Sequence, residues 1–243
     1  IGIPKEIMPG ESRVAAIPET AARLVQLGFE VYIEKEAGAG ALFSDDTYMN
    51  AGAIMAPDAR SVYQTSDVIL KVKEPIQSGN GQHEIELMRE GSVLITFLHP
   101  AAPNNHAMVK KLQAKNITSF TMDGIPRISK AQRMDALTSM STLTGYKSVL
   151  IAASKMPVVL PMLGTAIGTI KPAHFLVIGT GVVGLQAIAC AKRLGATVSA
   201  IDTRESARAA AKSLGAKVNG FEVPAEMAEA DDGYALPLPQ EWL

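Results

Sequence analysis

Apolar positions along the first 125 residues follow two interleaved periods. Short β-branched or apolar runs at residues 1–4, 30–34, 67–72, 92–98 and 117–122 read as strands. Between them, residues 18–27, 45–51 and 104–115 repeat their apolar positions at helical spacing. Gly28 and Gly52 stand directly after two of these helices, where a C-terminal cap is expected. Such βα alternation with short connections predicts a mostly parallel sheet covered by helices on both faces.

From residue 129 to about 154 the pattern turns helical and stays so, Gly145 apart, and a Pro/Gly-punctuated stretch at 157–172 follows. Three parts result: an N-terminal α/β domain over 1–128, a linking helix and connector over 129–172, and a second domain over 173–243. With two open α/β domains, the cleft between them at the strand carboxyl ends is the expected ligand site. At the junction lies RISKAQRMDALTS, residues 127–139. A solvated helix face and a binding loop both account for its polarity. If Gln132 opens a helix, Asp135 and Ser139 share one face, and Met134, Leu137 and Ser141 form the other, buried one.

The second domain begins HFLVIGTGVVGLQAIACAKRLGATVSAID. A strand at 174–178 leads into G-x-G-x-x-G at Gly179, Gly181 and Gly184, then a helix from Val182 and a second strand ending in Asp202, 23 residues after Gly179. A lone glycine triplet is weak evidence; strand, glycines, helix, strand and terminal acid in this order are specific for a dinucleotide. Gly179 makes the tight turn, Gly181 admits the pyrophosphate, and Gly184 lets helix pack on strand. The helix start offers unpaired N–H groups to phosphate. Asp202 should accept from the adenosine ribose hydroxyls, favouring NAD(H). Arg204 could instead pair with a 2′-phosphate, but the carboxylate would repel that group and outweighs it. A further helix at 205–214 and a strand at 217–223 complete βαβαβ, half of a Rossmann-like dinucleotide domain. The chain therefore reads as a fragment: α/β, two doubly wound parallel-sheet domains, the second truncated to its first half.

Composition changes this picture little. Of 243 residues, 47% are hydrophobic and 19% charged, values of a globular chain rather than a disordered one. A net charge of −1 without a long basic run argues against nucleic acid. The single Cys190, among alanines and Ile188, reads as a buried helix thiol and precludes an internal disulfide. Uncharged runs are broken by glycine or proline, so no membrane span is expected. The first residue is Ile1, so the start reads as trimmed, with any targeting signal outside view. His83 and His106 read as exposed and His174 as structural. No Cys/His/Asp cluster has metal-ligand spacing, so no metal site is expected.

The run 126–137, PRISKAQRMDAL, resembles the loop that marks the NAD(H)-binding component of proton-translocating nicotinamide nucleotide transhydrogenases. The resemblance extends to IGIPKE at the start, Arg13-Val14-Ala15, Gly145-Tyr146, and the Gly179–Asp202 fingerprint with Thr203-Arg204 after it. Gly233-Tyr234-Ala235 resembles that family's mobile loop, which closes over the nucleotide. Matching positions imply that Arg127, Gln132 and Asp135 hold the nicotinamide end, with Ile128, Ser129, Thr138 and Ser139 in the same binding run. Thr138 departs from the family's usual serine, and Arg133 is unusual there. The resemblance implies direct hydride transfer between NAD(H) bound here and NADP(H) on a partner component, needing ring apposition and no acid or base. It further implies a homodimer and a membrane-spanning proton-channel component. The chain would sit on the soluble face of that complex, cytoplasmic in bacteria or on the matrix side in mitochondria.

Two other readings stay open. Arg13, Lys73 in KVKEP and His99 in FLH match positions that bind and protonate a keto acid in alanine dehydrogenases of the same wider family. Reduction of an imine there needs a proton donor. Alternatively, half a dinucleotide domain serves as a non-catalytic nucleotide-binding or interaction module.

Overall fold

The computed structural model describes residues 1–243 except 80, 127, 221–222, 231–234 and 240–243, and leaves the side chains of Ser129 and Ala225 undescribed. The chain divides into two units, residues 1–126 and 127–243.

In the first unit the strands are β1 (Gly2–Ile3), β2 (Tyr32–Glu34), β3 (Ile54–Ala56), β4 (Val68–Leu70), β5 (Val93–Thr96) and β6 (Thr118–Thr121). Helices α1 (Pro18–Gln26), α2 (Asp45–Asn50), α3 (Ala59–Thr65), α4 (Glu84–Leu87) and α5 (His106–Ala114) alternate with them. All pairings are parallel, and the order β3-β2-β1-β4-β5-β6 is that of a doubly wound sheet. One core gathers Ile3, Val31, Ile33 and Tyr48; the other gathers Tyr63, Ile69, Met88 and Leu94. Gly28 and Gly52 take the left-handed conformation expected of helix C-terminal caps.

Two elements lie where the apolar pattern is silent. Strand β3 has only three residues, and α3, ARSVYQT, is held mainly at its start. There Asp58 accepts from the Ser61 amide at 2.7 Å and its hydroxyl at 2.8 Å. His83 is not simply exposed: its ring accepts from the Ile85 amide and caps α4.

A buried ionic cluster ties this unit together. Lys71 Nζ lies 3.2 Å from Glu6 and 2.7 Å from Glu84, with all three side chains at most 5% exposed. The Tyr63 hydroxyl also donates to Glu84, and the Val72 and Ile76 amides donate to the two carboxylates. The cost of burying charge is thus offset by a full set of donors.

The second unit opens with a 3-10 segment, Ser129–Met134, and then α6 (Ala136–Lys155). The continuous helix expected from residue 129 is therefore broken. Asp135 adopts φ −77°, ψ 77° and caps α6, its carboxylate accepting from the Thr138 amide at 2.8 Å and hydroxyl at 2.6 Å. Gln132, Asp135 and Ser139 consequently do not share one helix face. The expected buried stripe fails as well: Met134 is 57% and Leu137 37% exposed. Gly145 and Val149 are the buried residues of α6, because that side meets α7 (Val182–Arg193).

Strands β9 (His174–Ile178), β10 (Thr197–Ile201) and β11 (Lys217–Val218) form a parallel sheet in the order β11-β10-β9. Helices α7 and α8 (Glu205–Ser213) make the crossovers, and a short α9 (Ala225–Ala228) follows. This is half of the doubly wound order. Cys190 is buried on α7, and His174 opens β9 with its ring 2.9 Å from the Thr197 hydroxyl. The connector before β9 contains an antiparallel hairpin, β7 (Leu163–Thr165) and β8 (Gly168–Ile170), which the apolar pattern does not predict.

Candidate functional site

Strand β9 ends at Gly179, whose φ of +85° turns the chain sharply toward α7. Gly181 is the N-cap of α7, and a Cβ there would meet only the Arg204 guanidinium, at 3.9 Å. Backbone is therefore open to a ligand at the helix start, where Val182 begins the first turn. Gly184 has no such space: a Cβ would clash with the Gly179 carbonyl, so helix and strand pack without side chains between them. The three glycines thus have the separate tasks expected of them.

Asp202 follows β10 and reaches back across this turn. Its Oδ2 accepts from the Thr180 amide at 2.6 Å, the Thr180 hydroxyl at 3.2 Å and Arg204 Nη2 at 2.9 Å. Its Oδ1 accepts from the Arg204 amide at 2.9 Å and Nε at 3.0 Å. Burial alone would raise this carboxyl. The Arg204 side chain and the two amides outweigh it and hold the group at about 2, so it is a carboxylate at neutral pH. These donors already fill a group with about four lone-pair sites. A ribose diol arriving here would take over positions that Arg204 now fills.

Arg208 donates to the Asp202 and Thr203 carbonyls at 3.1 and 2.5 Å, fixing the strand end. The buried Thr203 hydroxyl has no hydrogen-bond partner among the described residues. Thr180 and Arg208 were missed from the sequence. The available signals were a hydroxyl residue between two turn glycines and a cation one helical turn after Arg204.

The 127–139 run contributes differently. Ile128 and Gln132 are exposed, and Gln132 lies in the 3-10 segment with its carbonyl accepting from the Asp135 amide. The Asp135 carboxylate and Thr138 are engaged with each other, and the Ser139 hydroxyl donates to the Asp135 carbonyl. A carboxylate oxygen can accept more than one hydrogen bond, so the cap leaves Asp135 able to meet a ligand. Ser129 starts the segment; Arg127, Gly233 and Tyr234 lie outside the described residues.

In the first unit, Arg13 is held by Glu11 through both Nε, at 2.7 Å, and Nη2, at 2.5 Å. His99 has φ +47°, and its amide donates to Asp123 at 2.8 Å. Its ring nitrogens lie 3.5 Å from Glu74 and 3.5 Å from Asp123. Lys73 donates its amide toward Glu6.

Comparison with known proteins places this geometry in a lineage. The chain matches the description "Alanine dehydrogenase/PNT, N-terminal domain" over residues 2–144 and "Alanine dehydrogenase/PNT, C-terminal domain" over 148–231. The first of the separate chains that make up NAD(P) transhydrogenase subunit alpha in Rhodospirillum rubrum is 44% identical over 243 residues, which cover all of this chain and 63% of that protein. The crystal structure of transhydrogenase from Sinorhizobium meliloti superimposes with a TM-score of 0.83 at 43% identity, over 90% of this chain and 63% of the other. Alanine dehydrogenase of Methanococcus maripaludis is more distant, 36% identical over 83% of this chain and 52% of its own length. The chain thus spans just under two thirds of these two transhydrogenase proteins. Glycine turn, Asp202 and these matches agree: the chain belongs to the alanine dehydrogenase/PNT family.

Proposed function

We propose that this chain is the NAD(H)-binding part of a proton-translocating transhydrogenase. The carrying observation is the Gly179–Gly184 turn joined to Asp202, in a chain 44% identical to a transhydrogenase alpha subunit. In this reading the Val182 end of α7 receives the pyrophosphate and Asp202 the adenosine ribose, with Thr203 and Arg204 beside it. Gln132, Arg127 and Asp135 orient the nicotinamide end, Ile128, Ser129, Thr138 and Ser139 complete that run, and Gly233 and Tyr234 close over the nucleotide. The nicotinamide itself carries the hydride; the protein aligns it with a second nicotinamide, of NADP(H), on a partner component. Proton movement belongs to a membrane-spanning component. Among the described residues no helix is long and apolar enough to cross a membrane, which accords with a place on the complex's soluble face. Exposed Ile167, Met162 and Leu143 accord with a homodimer.

Alanine dehydrogenase activity would need a proton donor at the hydride acceptor, and His99 is the candidate. His99→Ala in the full-length protein separates the two. Offered an NAD⁺ analogue on one side and pyruvate with ammonium on the other, the protein should transfer hydride to the analogue alone. The variant should keep its rate within about tenfold, whereas loss of a general acid costs about 10²–10⁴-fold. Strong pyruvate reduction that collapses in the variant overturns the transhydrogenase reading.

A further inference from the structure

Gly145 lies midway along α6, and no part of the dinucleotide fingerprint includes it. A Cβ built there would collide with the Val183 carbonyl, and it would meet the Gln186 Cβ at 2.9 Å and the Ala187 amide nitrogen at 3.2 Å. The carbonyl and amide belong to the first two turns of α7, whose opening turn follows Gly181. Glycine at 145 is thus what lets the backbone of α6 rest directly on the backbone of α7. Ten residues earlier α6 is capped by Asp135, and the 3-10 segment with Gln132 runs into that cap. One rigid helix, rising about 1.5 Å per residue, therefore joins the 129–135 segment to the start of the glycine turn's helix.

We propose that Gly145 is a positioning residue for hydride transfer: its missing side chain sets the separation of α6 from α7, and with it the placement of the Gln132–Asp135 segment over nucleotide held at Gly179–Gly184. The inference rests on the transhydrogenase reading. Alanine at 145 leaves α6 itself a better helix. The Val183 carbonyl is backbone, so no rotamer change relieves the contact. The two helices must part by about 1 Å before carbon and oxygen reach ordinary van der Waals contact. A displacement of about 1 Å at the reacting end costs roughly 10²-fold in rate while the binding pocket survives.

The test is Gly145→Ala in the full-length subunit assembled with its partners. Single-turnover hydride transfer should fall about 10²-fold. Affinity for ADP-ribose, which probes only the adenosine and pyrophosphate end, should change less than about threefold. Gln186→Ile branches the side chain at the same crossing and applies a milder push, so it serves if Gly145→Ala does not fold. It should show the same split, with a rate loss of about tenfold or less. An unchanged rate in either folded variant, or parallel losses in rate and ADP-ribose affinity, overturns the positioning role. Failure of the underlying reading looks different: the wild-type complex would itself transfer no hydride between nicotinamides.

Discussion

Replacing Asp202 by asparagine removes a charge without changing shape, and the structure fixes what should follow. The carboxylate is 3% exposed and its Arg204 partner 17%. Asparagine's oxygen can still accept from the Thr180 amide, but its nitrogen would face the Arg204 donors. The folded carboxyl sits at about 2 against an ordinary 3.8, and that difference corresponds to about 2 kcal/mol at pH 7. The folded value is the depressed one, so this stabilisation is complete above about pH 5 and is lost as pH falls toward 2. Urea unfolding of wild type and Asp202→Asn, followed by far-ultraviolet circular dichroism from pH 7 to pH 2, measures the gap. It should be about 2 kcal/mol at pH 7 and close toward zero at pH 2. A gap that is absent at neutral pH, or that persists undiminished in acid, refutes the stabilised carboxylate.

Lys71→Met should destabilise the first unit by about 3–5 kcal/mol by stranding two buried carboxylates; the double variant with Glu84→Gln should cost less than the sum of the singles in the same unfolding assay. Gly184→Ala should weaken NADH binding at least tenfold in fluorescence titration, because its Cβ would collide with the Gly179 carbonyl; unaltered affinity would show that the turn can open without loss. Gln132→Asn should slow single-turnover hydride transfer roughly 10²-fold while sparing NADH affinity, since a shortened side chain misplaces the ring by about 1 Å; equal losses would make Gln132 a binding residue only.

The parts of the fold that were legible in the sequence depend on local chemistry. Parallel strands such as Val93–Thr96 are short apolar runs bounded by turns, and the Gly179–Asp202 spacing is itself a record of strand, turn and helix. Strand β3 and helix α3 escaped because three residues carry no period and Ala59–Thr65 is mixed in polarity. The Asp58/Ser61 cap was nevertheless there to be read. The break at Asp135 escaped for a different reason: aspartate after a helix-like run gives no sign that its own side chain will restart the helix. Pairing of Asp202 with Arg204 depends on which rotamers meet across a turn, and no spacing rule encodes that. Exposure of Met134 was misjudged because helical periodicity was carried through residues that are not α-helical.

The place of β1 has a consequence for how the chain acquires its structure. Gly2–Ile3 lies in the middle of the six-stranded sheet, with Tyr32 and Ile33 on one side and Ile69 on the other. During synthesis these early residues emerge long before the neighbour at Val68–Leu70. One edge of a fully buried strand must therefore wait, exposed, until the outer half of the sheet arrives. Closing that gap spends loop entropy before it returns any burial, so long-range parallel pairing of this kind is slow. The N-terminal unit should accordingly be the part of the molecule most in need of protection against association while it is still being made.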